Sequence, residues 1–344
     1  MCIKFRPGTA FIPFFLIFNA CLGQTVTLLQ QGKPTSIRGL SVVDDSIAWL
    51  SGSKGTVAFT HNGGKTWDWR QVKGFEKADF RDIEAFSDKE AIIMSSGTPA
   101  LILKTTDGGT NWKVKYKNTD TAYFFDAMDF ANPKHGLVLG DPINGKFVLM
   151  ETVNGGETWK MFANPPNALP GESAFAASGT CLRMDKNEID IVTGGNRNRE
   201  LIWMVDNNPT DSWLESNLLF PNKKASQGAF SMAHNGKTDI FVGGDYADDK
   251  RTDSVAEYWT FDGTYAGGPL LLSTTPPSGF QSCVEFISGQ TFLSTGTPGS
   301  NITTDGGKTW KKIDGISYNV CRKAKKGKLV LLAGNNGAIG LLKL

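Results

Sequence analysis

The sequence predicts an all-β protein folded as a seven-bladed β-propeller, closed by an N-terminal strand that completes the last blade. Three observations predict it. A motif of the form Thr-x-Asp/Asn-Gly-Gly-x-Thr/Asn-Trp recurs at Thr60–Trp67, Thr105–Trp112, Thr152–Trp159 and Thr303–Trp310. The first three copies start 45 and 47 residues apart and the last lies 151 further on. That gap fits three units of about 50 residues, the length of a four-strand blade. Finally, the stretch from Tyr318 to Leu344 supplies only three strands, while a spare strand stands at 25–31.

Each copy of the motif reads as a structural turn rather than a reactive site. Asn62, Asp107, Asn154 and Asp305 accept hydrogen bonds from the backbone of their own turn. The paired glycines permit positive φ. Trp67, Trp112, Trp159 and Trp310 open the next strand and carry a large apolar ring into the packing. Decayed copies at 205–213 and 260–263 fill the long gap.

Residues 1–23 read as an export leader. Lys4 and Arg6 precede the apolar run Phe11–Phe18, and small residues follow around Ala20, with cleavage expected near Gly23–Gln24. The run is too short for a membrane span, and Pro13 interrupts it. Lipidation at Cys21 is the less favoured alternative, because Phe18 makes a poor lipobox. The exported chain, periplasmic or secreted, is then one propeller domain over 24–344.

In order along that domain, 25–31 alternates Val26 and Leu28 and forms the spare strand. Blade 1 spans 36–74, with short apolar runs such as Ile47–Leu50 and Thr56–Phe59 between Gly-rich turns. Blades 2 and 3 span 79–117 and 123–163. Pro165, Pro166 and Pro170 forbid regular pairing in the connection 164–173, and a connection this long points to function. Blade 4 covers 179–226 and blade 5 covers 228–272. Blade 6 covers 280–315, and blade 7 covers 318–344 plus 25–31.

Composition narrows the partners. Hydrophobic residues are 40% of the chain, enough for a sizeable core. Removing the leader leaves 34 basic and 34 acidic residues, without the basic footprint of a nucleic-acid binder. The run Arg322–Lys328 reads as a solvated turn. Cys181, Cys283 and Cys321 are odd in number and lack metal-type spacing. Cys181 falls in register with Leu40, Ile83 and Ala127, so the cysteines read as small core residues of innermost strands that need no disulfide. His61, His135 and His234 are scattered, and no nucleophile elbow, phosphate loop or dinucleotide fingerprint is present. No metal, no cofactor and a monomeric state are expected.

In a propeller the inter-blade loops and the loops between second and third strands share one face around the channel mouth. That face is expected to collect Arg38, Arg81 and Asp82 from inner-strand starts, with Gln281 and Asn319 at matching positions. Its loops add Asp141, Arg199, Asp245 and Tyr246, and the Pro-flanked Glu172 opens beside them. Arginines facing carboxylates suit a ligand carboxylate, a sugar or a peptide segment. The alternative is that they pair with one another to satisfy a wet channel mouth.

The four turns resemble the Asp-box (BNR) repeats of sialidase-type propellers. With its Gly-Gly-Lys-Thr-Trp turns and the Arg-bearing inner strands Ile37-Arg38-Gly39-Leu40 and Phe80-Arg81-Asp82-Ile83, the chain over 36–344 is similar to exported photosystem II stability/assembly factor-like proteins. That resemblance implies a non-catalytic propeller that binds a protein or small ligand. The sialidase side of it implies three arginines gripping a carboxylate, a Tyr activated by a Glu, and an Asp acid. Arg38, Arg81, Arg199, Tyr246, Glu172 and Asp82 supply those residue types, with Asp141 a further carboxyl for a two-carboxylate glycosidase. Phe80-Arg81-Asp82-Ile83 lacks the proline of the sialidase Phe-Arg-Ile-Pro signature.

Overall fold

The computed structural model describes residues 23–205, 212–261, 263 and 268–344. The leader, Cys21 and the centres of the two decayed turns lie outside these residues. Among the described residues the strands form seven sheets arranged as the blades of a propeller. Blade 1 runs from its innermost strand Ile37–Val42 through Ala48–Gly52 and Thr56–Thr60 to the rim strand Asp68–Gln71. Blades 2, 3, 4 and 6 repeat this four-strand antiparallel order, with innermost strands Asp79–Ala85, Phe125–Asn132, Leu182–Met184 and Cys283–Ser288. Blade 7 takes three strands from the C-terminus, Val320–Lys323, Val330–Ala333 and Ile339–Lys343, and its fourth from Thr25–Gln30. That N-terminal strand pairs antiparallel with Ile339–Lys343, Thr25 opposite Lys343. No helix among the described residues is long and apolar enough to cross a membrane.

Blade 5 departs from the pattern. Its strands Gln227–His234, Thr238–Asp245, Ala256–Thr260 and Leu271–Leu272 carry two extra segments on the inner edge, Gly194–Gly195 and then Glu172–Ser173. The long connection therefore resumes pairing immediately after its last proline, where a donor N–H returns to every residue.

The core lies between neighbouring blades, and the turn motif builds it. In each complete copy the Thr hydroxyl accepts the N–H of the second glycine, at 3.1 Å for Thr60, 3.0 Å for Thr105, 2.9 Å for Thr152 and 3.0 Å for Thr303. The Asp or Asn carboxyl or amide oxygen accepts the N–H four residues on, at 2.9–3.0 Å. The second glycine presses on the preceding blade. At Gly156, where φ is +78°, an added Cβ would lie 2.4 Å from the Ile92 side chain, so both the backbone angle and the close approach demand glycine. The four indoles repeat this placement. Trp67 packs against the cluster that holds Leu331 of blade 7, Trp112 stands edge-on to Trp49 of blade 1, Trp159 packs against the cluster that holds Ile92 of blade 2, and Trp310 shares a cluster with Ile240 of blade 5. Each therefore seals its own blade to the one before it. Thr303→Val keeps the shape but strands the Gly307 and Asp305 partners, and is expected to lower stability by about 1–3 kcal/mol in urea unfolding.

Candidate functional site

The upper channel mouth is built by a repeated irregularity. In four innermost strands one residue has no partner opposite it: Arg38 between Ile37 and Gly39, Arg81 between Phe80 and Asp82, Asp126 between Phe125 and Ala127, and Phe230 between Ala229 and Ser231. Such bulges re-aim a side chain out of the ladder. All four bulged residues line a cavity of about 520 Å³ at the mouth. Phe124, Asp141, Phe175, Tyr246, Phe280 and Asn319 complete much of its wall.

The floor of this cavity is the chain itself. Residues 173–178 cross the channel as a strap, and three arginines from three other blades hold its carbonyl oxygens. Arg38 donates to Ala177 O at 3.3 Å, Arg81 to Ala176 O at 3.4 Å, and Arg322 to Ser178 O at 3.1 Å. Phe175 of the strap stacks on Phe230, with centroids 3.8 Å apart and planes at 6°, and Phe280 meets Phe230 edge-on at 4.7 Å. The sequence placed Arg322 in a solvated turn. It instead points inward and is half-buried, because its innermost strand faces the channel rather than the turn beyond it.

The electrostatics of the mouth are strained in one direction. Burial and the neighbouring Arg81 lower the Arg38 pKa, against the pull of Asp79. Arg81 pairs with Asp79 at 2.7 Å and lies 5.7 Å over the Phe124 ring. Burial, with the adjacent Asp141, holds Asp126 well above the usual carboxylate range despite Arg81. Burial pushes Asp141 up to about 6. One buried carboxyl oxygen of each, Asp126 Oδ2 and Asp141 Oδ1, has no hydrogen-bond partner among the described residues. The cavity thus offers guanidinium donors on long hydrogen bonds, two carboxyl groups and an aromatic wall.

Of the residues expected from sequence, Arg38, Arg81, Asp141, Tyr246 and Asn319 come together here. Tyr246 is half exposed at the rim, edge-on to Phe230 and Phe280. Asn319 donates to Ile37 O at 2.9 Å and to Asn335 Oδ1 at 3.2 Å, tying blade 7 to blade 1.

The others lie elsewhere. Asp82 sits beneath the strap, where a Cβ on Gly179 would meet its carboxylate, and it accepts the Ile83 and Met128 N–H groups at 2.8 Å. Burial raises it to about 7 against the charge of Arg322. Glu172 and Arg199 are both buried and pair bidentately at 2.9 and 2.6 Å, rather than opening onto the mouth. Asp245 is buried under its loop, bonded to Gln227 Nε2 and the Ala247 N–H at 3.0 Å each. Gln281 spends its amide on Gly279 O and Phe280 O, and its oxygen on Asn301. The sequence reading missed Asp126, Phe175, Phe230 and Phe280. Asp126 and Phe230 were available by aligning the bulge positions with Arg38 and Arg81. Nothing in the sequence marked Phe175.

The family model described as "Photosynthesis system II assembly factor YCF48" matches residues 25–120, and the BNR/Asp-box repeat model matches residues 302–312. The chain is an Asp-box β-propeller similar to photosystem II assembly factors. It is 27% identical over 141 residues to the photosystem II assembly lipoprotein Ycf48 of Synechococcus sp. (strain CC9902), covering 40% of this chain and 39% of that one. It is 37% identical over 73 residues to the chloroplastic photosystem II stability/assembly factor HCF136 of Oryza sativa subsp. japonica, covering 20% of this chain and 17% of that one. The matches thus span well under half the length of these relatives. A solved structure of YCF48 bound to D1 peptide superposes with a TM-score of 0.63 at 16% identity, covering 93% of this chain and 97% of that one.

Proposed function

We propose that this propeller is an exported, non-catalytic binding protein that holds an extended segment of a partner protein across its upper channel mouth. The observation that carries this reading is the cavity of about 520 Å³ lined by Arg38, Arg81, Asp126, Asp141 and stacked phenylalanines. A peptide presents alternating carbonyl acceptors and N–H donors. The arginines suit the first, the Asp126 and Asp141 carboxyls suit the second, and the aromatic wall takes an apolar side chain. The strap supports the reading, because the chain's own backbone already lies against Arg38 and Arg81 in that fashion. The similarity to a protein solved with a bound peptide, and to one named a lipoprotein, is in keeping with a protein partner and with export.

Pull-down from an exported protein fraction tests it. Arg38→Ala/Arg81→Ala is expected to lower partner recovery at least about tenfold, since hydrogen bonds to charged groups contribute about 1.5–3 kcal/mol. Equal recovery by wild type and variant would overturn the site.

One observation favours a second reading, a glycoside hydrolase. Asp126 and Asp141 are two neighbouring carboxyls with raised pKa values in the same cavity as Tyr246. Turnover on a glycan panel that is abolished by Asp141→Asn would establish it. No turnover on any glycan would end it.

A further inference from the structure

We propose that Cys283 and Cys321 form an oxidation site, at which a disulfide staples blade 6 to blade 7 beside the channel. The two residues lie on the innermost strands Cys283–Ser288 and Val320–Lys323 of adjacent blades. The Cys321 N–H donates to the Cys283 sulfur at 3.4 Å, and the Cys283 thiol lies 3.4 Å from Cys321 O. The Cys321 side chain leans toward blade 6, its sulfur 3.7 Å from Leu293 O. Both are free thiols in this structure.

The surroundings divide the two thiols into an attacking and a resolving partner. Arg322 Nη1 lies 3.5 Å from the Cys283 sulfur. A guanidinium beside a thiol favours the thiolate, which is the nucleophile. Burial opposes ionisation, yet the Cys321 hydrogen bonds and the Arg322 charge outweigh it and bring Cys283 down to about 5. Burial and the Cys283 sulfur hold Cys321 well above its ordinary value. The third cysteine lacks this setting. The Cys181 thiol contacts Phe175 O at 3.5 Å, and burial together with Asp126 pushes it up.

The oxidant is an external disulfide, small-molecule or protein. The Cys283 thiolate attacks one of its sulfurs, that S–S bond breaks, and the departing thiolate takes up a proton. Cys321 then gives up its proton and attacks the Cys283 sulfur, expelling the second half as a thiol. Two protein thiols lose two hydrogens, and the external disulfide becomes two thiols. Such oxidants are present in exported compartments. The supply of that oxidant rests on the proposed export, whereas oxidation in a glutathione mixture does not. Thr180 of the chain crossing the channel donates to this sulfur at 3.7 Å, so exchange is expected when that segment lifts away while blades 6 and 7 keep Arg322 beside Cys283.

The test refolds the purified protein in a mixture of oxidised and reduced glutathione, followed by alkylation, intact mass and peptide mapping. The expected result is one bond linking Cys283 to Cys321 and a mass lower by two hydrogens. The thermal midpoint is expected to rise by about 5 °C and to fall again with reductant. Cys181→Ser should behave identically. Cys321→Ser should instead retain glutathione on Cys283. Three free thiols after refolding, or a bond to Cys181, would overturn the proposal. Should Cys321→Ser fail to fold, the wild-type map and Cys181→Ser still decide.

Discussion

Glu172→Gln is expected to lower the unfolding free energy by about 3 kcal/mol, the low end of the usual cost of breaking a buried ion pair from one side, because Arg199 keeps its contact with Glu215. Arg199 donates to both Glu172 oxygens, and the same carboxylate accepts the Thr193 hydroxyl at 2.7 Å and the Leu169 N–H at 2.8 Å. Arg199 also reaches Asn167 O at 3.0 Å and Glu215 at 2.6 Å. One carboxylate therefore anchors the second half of the proline-rich connection, which continues into the strap under the binding cavity. Loss of the charge should loosen that floor as well as the fold. Chemical denaturation checks the magnitude. Partner binding at a temperature where the variant is still folded separates the two effects. A substitution with wild-type stability would mean that the pair contributes nothing net. In a glycosidase using Glu172, stability would persist and turnover alone would vanish.

Stability is expected to fall as pH rises from about 5 to 9, the reverse of the usual acid sensitivity. Blade 4 contributes Glu188, Asp190 and Glu200 to a seam where blade 5 contributes Asp239 and Glu257. Burial, then Asp239, Glu188 and Glu257, raises Glu200 to about 8. Burial raises Glu257 to about 8, and neither of its carboxyl oxygens has a hydrogen-bond partner among the described residues. Asp239 rises to about 6 through burial, against the pull of His234, and Asp190 stands well above its ordinary value for the same first cause. Each folded pKa lies above the unfolded value near 4. The associated stability is complete below pH 4 and is lost as pH climbs through 6 and then 8. Glu200→Gln/Glu257→Gln removes two of these ionisations. It is expected to raise the thermal midpoint at pH 8.5 by about 5 °C or more while changing it little at pH 5. Parallel midpoint-against-pH curves for variant and wild type would refute the seam.

The wheel was legible because its signal is local. Each turn carries its Thr, Asp or Asn, two glycines and Trp within eight residues, and the structure places all four indoles equivalently. Even the damaged fourth copy keeps its ring contact, Trp213 lying 6.5 Å from Phe162 of the preceding blade. The mouth was half legible. Aligning Ala127 with Leu40 and Ile83 set blade 3 one residue out of step. Met128, not Ala127, faces the preceding blade as they do, because Asp126 is bulged. The strap was invisible, since Ser-Ala-Phe-Ala-Ala-Ser has neither period nor charge. What fixes it comes from Arg38, Arg81 and Arg322, nearly 300 residues apart at the extremes. Glu172 and Arg199 misled for a related reason. Charged residues in loops read as solvated, and their mutual burial depends on how the proline-rich segment returns against blade 5.

The joining of Thr25–Gln30 to Ile339–Lys343 has a mechanical consequence. Because the pairing is antiparallel with Thr25 opposite Lys343, the two chain ends leave the wheel side by side at one end of the ladder. Tension applied between them loads the hydrogen bonds singly, beginning at Thr25, and unzips the clasp instead of shearing it. A molecule gripped at both ends should yield at low force there, and one pulled from its first blade and sixth blade should not.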